Sequence, residues 1–387
     1  MRVCLFTDTL GDLNGVSRFI QDMGELAATD AEFDLQIITS TSKPIPDKDY
    51  IHNLEYRWRL PMPFYQELDL VFCKKAAIAD ILQQFKPDLV HISTPGPFGW
   101  KAKTVAQSLG YPMLGTYHTD FPAYLYDLTR LHWVKRQTDK VMQRFYEPFE
   151  WVLSRSDAYR EVMAHDIGLA YEKTSVLPAG TNLQKFQPAH KNRQIWQTFG
   201  LNDSRLKVLY VGRINIEKNI PFLVNVWQMM RETYHIEADL VLIGEGRYRK
   251  WADRLRAEHI YFLGPIVGEE LSQMYASSEV FVFPSVTDTL GQVIMEAQAS
   301  GLGCMVSDVG GPQSLIENGQ NGQVIQANDE SLWVEALAEI LQNNEKRVLW
   351  GQAAFEFIQS YDIQKSYQAF KSVHQNCFQV VGRVDGD

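Results

Sequence analysis

Two acids eight positions apart, Asp288 and Glu296, lie in the stretch PSVTDTLGQVIMEAQASGLGCMVSDVGG (284–311), directly after the apolar run Val280–Phe283. Between them come Gly291 and an apolar helix start, Val293, Ile294 and Met295. A strand–loop–helix of this kind gathers backbone N–H groups and the positive end of a helix dipole at one point, which suits an anion such as a diphosphate. Carboxylates flanking that point would repel phosphate, so their use is with neutral hydroxyls. Phosphate beside sugar hydroxyls describes a nucleotide-sugar. Taken alone, the same residues equally describe a structural βα unit.

Other polar residues fall at the ends of apolar runs. Arg213 and Lys218 follow the run Val208–Val211 in GRINIEKN. A guanidinium fork and an ammonium point charge there are placed to hold a diphosphate, unless they are ordinary solvated cations. His118 ends the run Met113–Tyr117, where a lone histidine is ordinarily a satisfied surface or core residue. Asp120, two residues on, could meet a ligand or cap the following segment. Gly15 follows the first apolar run at a loop opening a helix, where the backbone can approach a ligand closely. Gly244-Glu245-Gly246 lacks the third glycine of a dinucleotide fingerprint and reads as a nucleotide-side turn, not an NAD site.

Positioning these residues requires a regular frame, and the chain supplies one. Strand-like runs alternate with helical stretches at Val3–Phe6, Leu35–Thr39, Leu89–Ile92, Met113–Tyr117 and Val176–Leu177. They resume at Val208–Val211, Leu240–Ile243, Tyr261–Leu263, Val280–Phe283 and Met305–Val306. Alternating βα units predict parallel sheets covered by helices on both faces. The length of 387 residues and the restart at Tyr210-Val211-Gly212 predict two Rossmann-like domains facing across a cleft, with ligands at the carboxyl ends of the strands. The expected division is 1–185, then 186–362, with the polar stretch 184–204 as linker zone; 363–387 reads as an amphipathic helix and polar tail.

Composition sets the class. Apolar residues make up 45%, and no apolar run approaches the ~20 residues that span a bilayer. The start RVCLFTD is not that of a signal peptide, and four scattered cysteines suit a reducing cytoplasm. A net charge of −10 argues against general nucleic-acid binding.

The acid-x7-Glu spacing followed by ASG and DVGG resembles the donor-site motif of the retaining glycosyltransferases of family 4, which have the GT-B fold. The resemblance extends through Asn14-Gly15-Val16-Ser17, HISTPGPFG (91–99), TYHTDFPAYL (116–125), LPAGTNLQKFQP (177–188) and VGRINIEKN (211–219). It implies an N-terminal acceptor domain, a C-terminal donor domain and a final helix crossing back to the first. It also implies that Arg213 and Lys218 contact the donor diphosphate and stabilise it as it leaves. Glu296 would accept hydrogen bonds from ribose, Asp288 and His118 would meet the transferred sugar, and Gly15 the phosphate and acceptor. Backbone groups around Gly264–Val267 would read the base, with Leu290 and Gly291 in the donor loop. Asp288 replaces the family's usual glutamate, Leu290 a common phenylalanine and Gly303 a usual proline, which loosens any inference about the donor's identity. The donor class remains a UDP- or GDP-sugar.

The D-x-D of Asp47-Lys48-Asp49 lies in a Pro-rich loop with no apolar strand before it, and no His/Cys cluster has metal-ligand spacing. The expectation is therefore no metal and no cofactor. Glu269-Glu270 reads as a helix start favoured by the dipole. No carboxylate has a clear claim to be a covalent nucleophile. The resemblance implies retention by front-face substitution, the leaving phosphate taking the acceptor's proton, with the protein supplying orientation and charge.

For the acceptor, TRLHWVKRQTDKVMQR (129–144) carries Arg130, Lys135, Arg136, Lys140 and Arg144 against one acid, Asp139. Arg136, Lys140 and Arg144 recur every four residues, with Trp133, Val134, Val141 and Phe145 nearby. Such a stripe can sit on an anionic bilayer, or it is an ordinary surface helix. HISTPGPFG and TYHTDFPAYL resemble the branch that glycosylates diacylglycerol or phosphatidylinositol. The expectation is thus a hexosyl transfer to a membrane lipid by a cytoplasmic enzyme, peripheral on the inner face of the plasma membrane. A polysaccharide or soluble acceptor, and an epimerase-type or non-catalytic GT-B protein, stay open.

Overall fold

The computed structural model describes residues 1–384 apart from 13, 63–64, 119 and 289; side chains are not described for 61–62, 65–69, 127–128, 158 and 381–384. The chain divides into two compact units, Met1–Ala179 with Gln364–Asp387, and Gly180–Ile363.

The first unit runs β1 (Arg2–Thr7), α1 (Gly15–Ala27), β2 (Asp34–Thr39), β3 (Ile51–Asn53), β4 (Tyr56–Met62), β5 (Tyr65–Cys73) and α2 (Lys75–Phe85). It continues β6 (Leu89–Ile92), α3 (Pro97–Ser108), β7 (Met113–Thr116), α4 (Phe121–Thr129), α5 (His132–Tyr146), β8 (Trp151–Ser154), α6 (Asp157–His165) and β9 (Thr174–Val176). Seven strands form one parallel sheet in the order β3-β2-β1-β6-β7-β8-β9. The strands β1, β6 and β7 are buried almost throughout, as a parallel sheet covered on both faces demands. β4 and β5 form a separate antiparallel hairpin.

The second unit contains α7 (Ile195–Thr198), β10 (Leu206–Val211), α8 (Ile220–Tyr234), β11 (Ala238–Ile243), α9 (Ala252–Leu255), β12 (Ile260–Gly264), α10 (Gly268–Ala276) and β13 (Val280–Phe283). Then come α11 (Gln292–Ala299), β14 (Cys304–Ser307), β15 (Gly322–Ile325), α12 (Glu330–Gln342) and α13 (Asn344–Ile358). Its six strands are parallel in the order β12-β11-β10-β13-β14-β15. Trp227 of α8 and Trp333 of α12 are buried in its core, each side chain contributing about 2–3 kcal/mol by leaving water. Glu269 and Glu270 occupy the first turn of α10, where the dipole favours them.

The last helix, α14 (Ile363–Val384), packs within the first unit. Phe370 meets Phe33 edge-on, and Lys371 pairs with Asp30 at 2.8 Å. A deeper tie is polar. His374 Nδ1 donates to the Phe370 carbonyl, so its Nε2 accepts from His91 Nδ1 at 3.0 Å, and the Thr116 hydroxyl meets His91 Nε2 at 2.8 Å.

One expectation needs correcting. The stretch 184–204 is not a linker but packed structure of the second unit. Phe186, Ile195, Trp196 and Leu201 are buried, and His190 Nδ1 meets Ser272 Oγ at 2.6 Å. Its apolar residues are few and irregularly spaced among polar ones, so composition hid their burial.

Candidate functional site

In each sheet the strand order reverses once, and crevices at such switch points are where ligands of open α/β sheets bind. The second unit reverses between β10 and β13, and both loops that leave those strands carry the charged residues singled out above. Lys218 Nζ donates to Asp288 Oδ2 at 2.6 Å, joining the loop after β10 to the loop after β13. Burial lowers the Lys218 pKa, while Asp288 works to hold the ammonium charged. Burial would raise the Asp288 carboxyl, but Lys218 outweighs it and holds the pKa below the usual carboxylate value. Arg213 Nη1 lies 3.4 Å from Glu217 Oε1, and the Ser285 and Thr287 hydroxyls both donate to the Glu217 carbonyl. Two cations and two carboxylates thus share one edge of the sheet.

The surrounding turns are built from glycine for steric reasons. A Cβ on Gly244, at φ +141°, would stand 1.9 Å from the Gly212 carbonyl oxygen. Gly291, at φ +97°, is the left-handed residue that starts α11, and Leu290 beside it is half-buried. The Gly311 N–H donates to the Asp288 carbonyl at 2.8 Å and fixes the loop from the far side. Gly264 ends β12, with its carbonyl accepting from Gly244. Glu296 is buried, and one of its oxygens accepts from Tyr275 at 3.0 Å.

The first unit reverses between β1 and β6. Asp8, just past β1, accepts from the N–H groups of Phe98 and Gly99 at 2.9 and 3.1 Å and from the Thr94 hydroxyl at 2.8 Å. It caps α3. Burial nevertheless pushes its pKa up to about 6. The HISTPGPFG motif acquires a physical reading here: a Cβ on Gly96 would collide with the Asp8 carboxylate, and one on Gly99 with the Thr94 carbonyl. His118 Nε2 and Ser93 Oγ hydrogen-bond at 2.9 Å. Burial, then the nearby Arg155 charge, lowers the His118 pKa to about 3, so the imidazole is neutral. Asp120 caps α4, accepting from Ala123 N–H at 3.0 Å and from the Tyr117 hydroxyl at 3.1 Å. Gly15 is exposed and opens α1, whose N-cap is Asn14, accepting from Ser17 N–H.

On α5, Arg136, Lys140 and Arg144 are exposed, as are Trp133 and Val141, while Phe145 joins Met142 and Tyr146 in the core. Lys135, beside the stripe in sequence, pairs with Asp166 at 2.7 Å. Asp47 and Asp49 are exposed ahead of β3. Among the described residues no cluster of three or more His, Cys, Asp or Glu could hold a metal ion, and the four cysteines are buried and free.

Residues that sequence reasoning missed include Asp8, Ser93, Thr94, Glu217 and Tyr275. Asp8 and Thr94 carried a signal, since each is polar and stands one or two positions past an apolar run. What was lacking was the strand order that makes β1 and β6 neighbours.

A model described as glycosyl transferases group 1 matches residues 192–357, and one described as glycosyltransferase family 4 matches residues 13–185. A sulfoquinovosyl transferase of Arabidopsis thaliana is 28% identical over 89% of the chain and 66% of its own length. An alpha-monoglucosyldiacylglycerol synthase of Streptococcus pneumoniae is 27% identical over 78% of the chain and 70% of its own. Among solved structures, a sucrose-phosphate synthase from Thermosynechococcus elongatus covers 98% of the chain and 100% of itself at a TM-score of 0.78 and 19% identity. The two Rossmann-like sheets have the GT-B fold.

Proposed function

Because the chain belongs to the group 1 and family 4 glycosyltransferases, we propose that it moves a hexosyl group from a UDP- or GDP-sugar to an acceptor hydroxyl. The observation that carries this reading is the Lys218–Asp288 pair beside Arg213 at the second unit's switch point. Phosphate oxygens would take Arg213 and the remaining donors of Lys218, while Asp288, held ionised by Lys218, would accept from a sugar hydroxyl. The same two cations would stabilise the diphosphate as the glycosidic bond breaks. That charge is worth most at the transition state, in a site already organised for it. We read the reaction as retaining and metal-independent, the departing phosphate taking the acceptor's proton. His118, neutral and oriented by Ser93, offers a hydrogen bond to a sugar hydroxyl without repelling a developing positive charge at the anomeric carbon.

A lipid acceptor of the diacylglycerol or phosphatidylinositol type is our reading of the other substrate. Its support is the exposed stripe of Arg136, Lys140 and Arg144 with Trp133 and Val141 on α5, together with the diacylglycerol named in one relative's activity. No helix among the described residues is long and apolar enough to cross a membrane. We read the attachment as peripheral, through the basic face of α5 on a cytoplasmic anionic surface.

Two measurements test this. A panel of UDP-, GDP- and ADP-sugars should yield one donor that raises the melting temperature of the wild type but not of Arg213→Ala. A ligand at a hundred times its Kd adds about 2.7 kcal/mol. Silence across sugars and free nucleotides alike would sink the donor reading. For the lipid, each basic residue near an anionic surface contributes ~1 kcal/mol. Arg136→Gln with Lys140→Gln should therefore weaken binding to phosphatidylglycerol vesicles about 30-fold, and salt should weaken the wild type. Unchanged binding would leave α5 an ordinary surface helix.

A further inference from the structure

Arg155 follows β8 directly, at the same carboxyl edge of the first sheet as His118. It is 6% exposed, and its guanidinium lies over the ring of Phe19, 4.1 Å from the centroid. Phe19 stands on α1, the helix that Gly15 opens, and its ring is 6.3 Å from that of His118. Nη1 is buried with no hydrogen-bond partner, and no carboxylate among the described residues pairs with the group. A guanidinium carries five N–H donors and none can be removed to suit an apolar site. Other deeply placed cations here have oxygen partners: Lys207 lies 3.2 Å from Asp239, Lys218 meets Asp288, and Lys103 donates to the Arg144 carbonyl. Contact with an aromatic face favours the charge but satisfies no N–H.

We propose that Arg155 is an anion subsite beside His118, receiving one sulfonate, carboxylate or phosphate group of a substrate, and that it sets specificity for that charge. The subsite rests on the glycosyltransferase reading for its use, though not for its existence. Burial lowers the Arg155 pKa to about 10, so it remains a cation at neutral pH, while His118 beside it is neutral. This part of the sheet edge therefore carries a fixed positive charge, matched to one anionic group in addition to the donor diphosphate. Planar fork geometry suits an oxyanion held at two points. That group could be carried by the transferred sugar or by the acceptor's headgroup.

Sulfate, titrated at constant ionic strength into the full chain, tests the subsite. Binding should persist in Arg213→Ala and fall at least tenfold in Arg155→Met, which keeps much of the packing on Phe19. Arg155→Lys keeps the charge without the fork and should bind weakly; it also serves if the methionine variant does not fold. Sulfate binding unchanged in the Arg155 variants, or absent from the wild type, overturns the proposal. Transfer assays then identify the source. If the sugar carries the anion, Arg155→Met should lower kcat/KM at least 30-fold with UDP-glucuronic acid and under threefold with UDP-glucose. If the acceptor carries it, the same contrast should separate phosphatidylinositol from diacylglycerol. Equal losses on charged and neutral substrates would refute the specificity role. Failure of the donor panel, with Arg155-dependent sulfate binding intact, would refute the transferase reading alone.

Discussion

Two switch points of the same topology carry opposite uses of a carboxylate. In the first unit, Asp8 and Asp120 stand at strand ends and both turn to the backbone, capping α3 and α4. In the second, Asp288 turns to a side chain, Lys218, and leaves the α11 start to Gly291. The difference is chemical in consequence. A carboxylate used as a cap gives its lone pairs to N–H and hydroxyl donors and pairs with no cation at the edge, where Ser93 and His118 are neutral and Arg155 has no carboxylate partner among the described residues. A carboxylate paired with a cation keeps both charges at the edge, where a phosphate and a hydroxyl can divide them. On the proposed reading, shared architecture sets where a ligand would bind, and the partner of one acid helps decide which kind.

Breaking the charged side should have the largest effect. Lys218→Met leaves Asp288 without its 2.6 Å partner and, on the proposed reading, removes a point charge from the diphosphate. We expect kcat/KM to fall 10²–10³-fold, about 3–4 kcal/mol of transition-state stabilisation. The double variant with Asp288→Asn should lose less than the sum of the two single changes, because the residues act on each other. Additive losses in that cycle would mean that the ion pair is not the working unit, and would remove the contrast drawn here.

Acid should act on the other side. His91, His118 and His374 are all held below the usual histidine pKa, each chiefly by burial, with His118 at about 3 and His374 at about 4. A folded-state pKa below the unfolded value of ~6.5 means stability that is present above that pH and lost as pH falls through the window beneath it. Asp8 has the opposite sign, since a carboxyl raised to about 6 favours the folded state as pH drops below that value. Asp120 and Asp139 share the sign of Asp8 and His52 that of the other histidines, and the three deeply buried histidines set the direction. The first unit should therefore be less stable at pH 5.5 than at pH 7. The free cysteines report on each unit separately, since Cys4 and Cys377 lie in the first and Cys304 in the second, all buried. Labelling with a dithiodipyridine in urea should show the Cys4 and Cys377 midpoints falling at pH 5.5 more than that of Cys304. Equal shifts would locate the acid sensitivity elsewhere.

The fold class was open to sequence reasoning because a parallel sheet buried on both faces writes its strands as solid apolar runs. Val280–Phe283 and Leu240–Ile243 are such runs, and both are strands. β8, β15 and β3 escaped because they are short: β8 ends in serine, β3 in asparagine, and β15 opens on glycine and glutamine. The hairpin β4–β5 lies outside both sheets, and the apolar run Leu70–Cys73 in its second strand was not among those read as strands. At the candidate site, Lys218 and Asp288 could be picked out as types of residue, but 70 positions of chain separate them. Their pairing follows from β10 lying beside β13, which no local pattern encodes. Arg155 was invisible for a different reason. Its sequence neighbours, Ser154 and Ser156, mark it as an ordinary polar residue, and only its burial without an oxygen partner for Nη1, visible in three dimensions, sets it apart.

The smallest expected effect tests whether Asp120 belongs to the structural side of the contrast. Its Oδ1 accepts from Ala123 N–H and from the Tyr117 hydroxyl, which is what an N-cap requires. Burial, the largest influence, raises its pKa, so a full negative charge is not what the position favours. Asparagine keeps the accepting oxygen and drops the charge; alanine drops both. Asp120→Ala should destabilise the first unit by about 1 kcal/mol, the usual loss for an N-cap. Asp120→Asn should cost less than half of that and leave kcat/KM within twofold. A tenfold loss of activity in the asparagine variant, with stability unchanged, would move Asp120 to the acceptor. The first unit would then hold a working carboxylate of its own, and the contrast would narrow to Asp8 against Asp288.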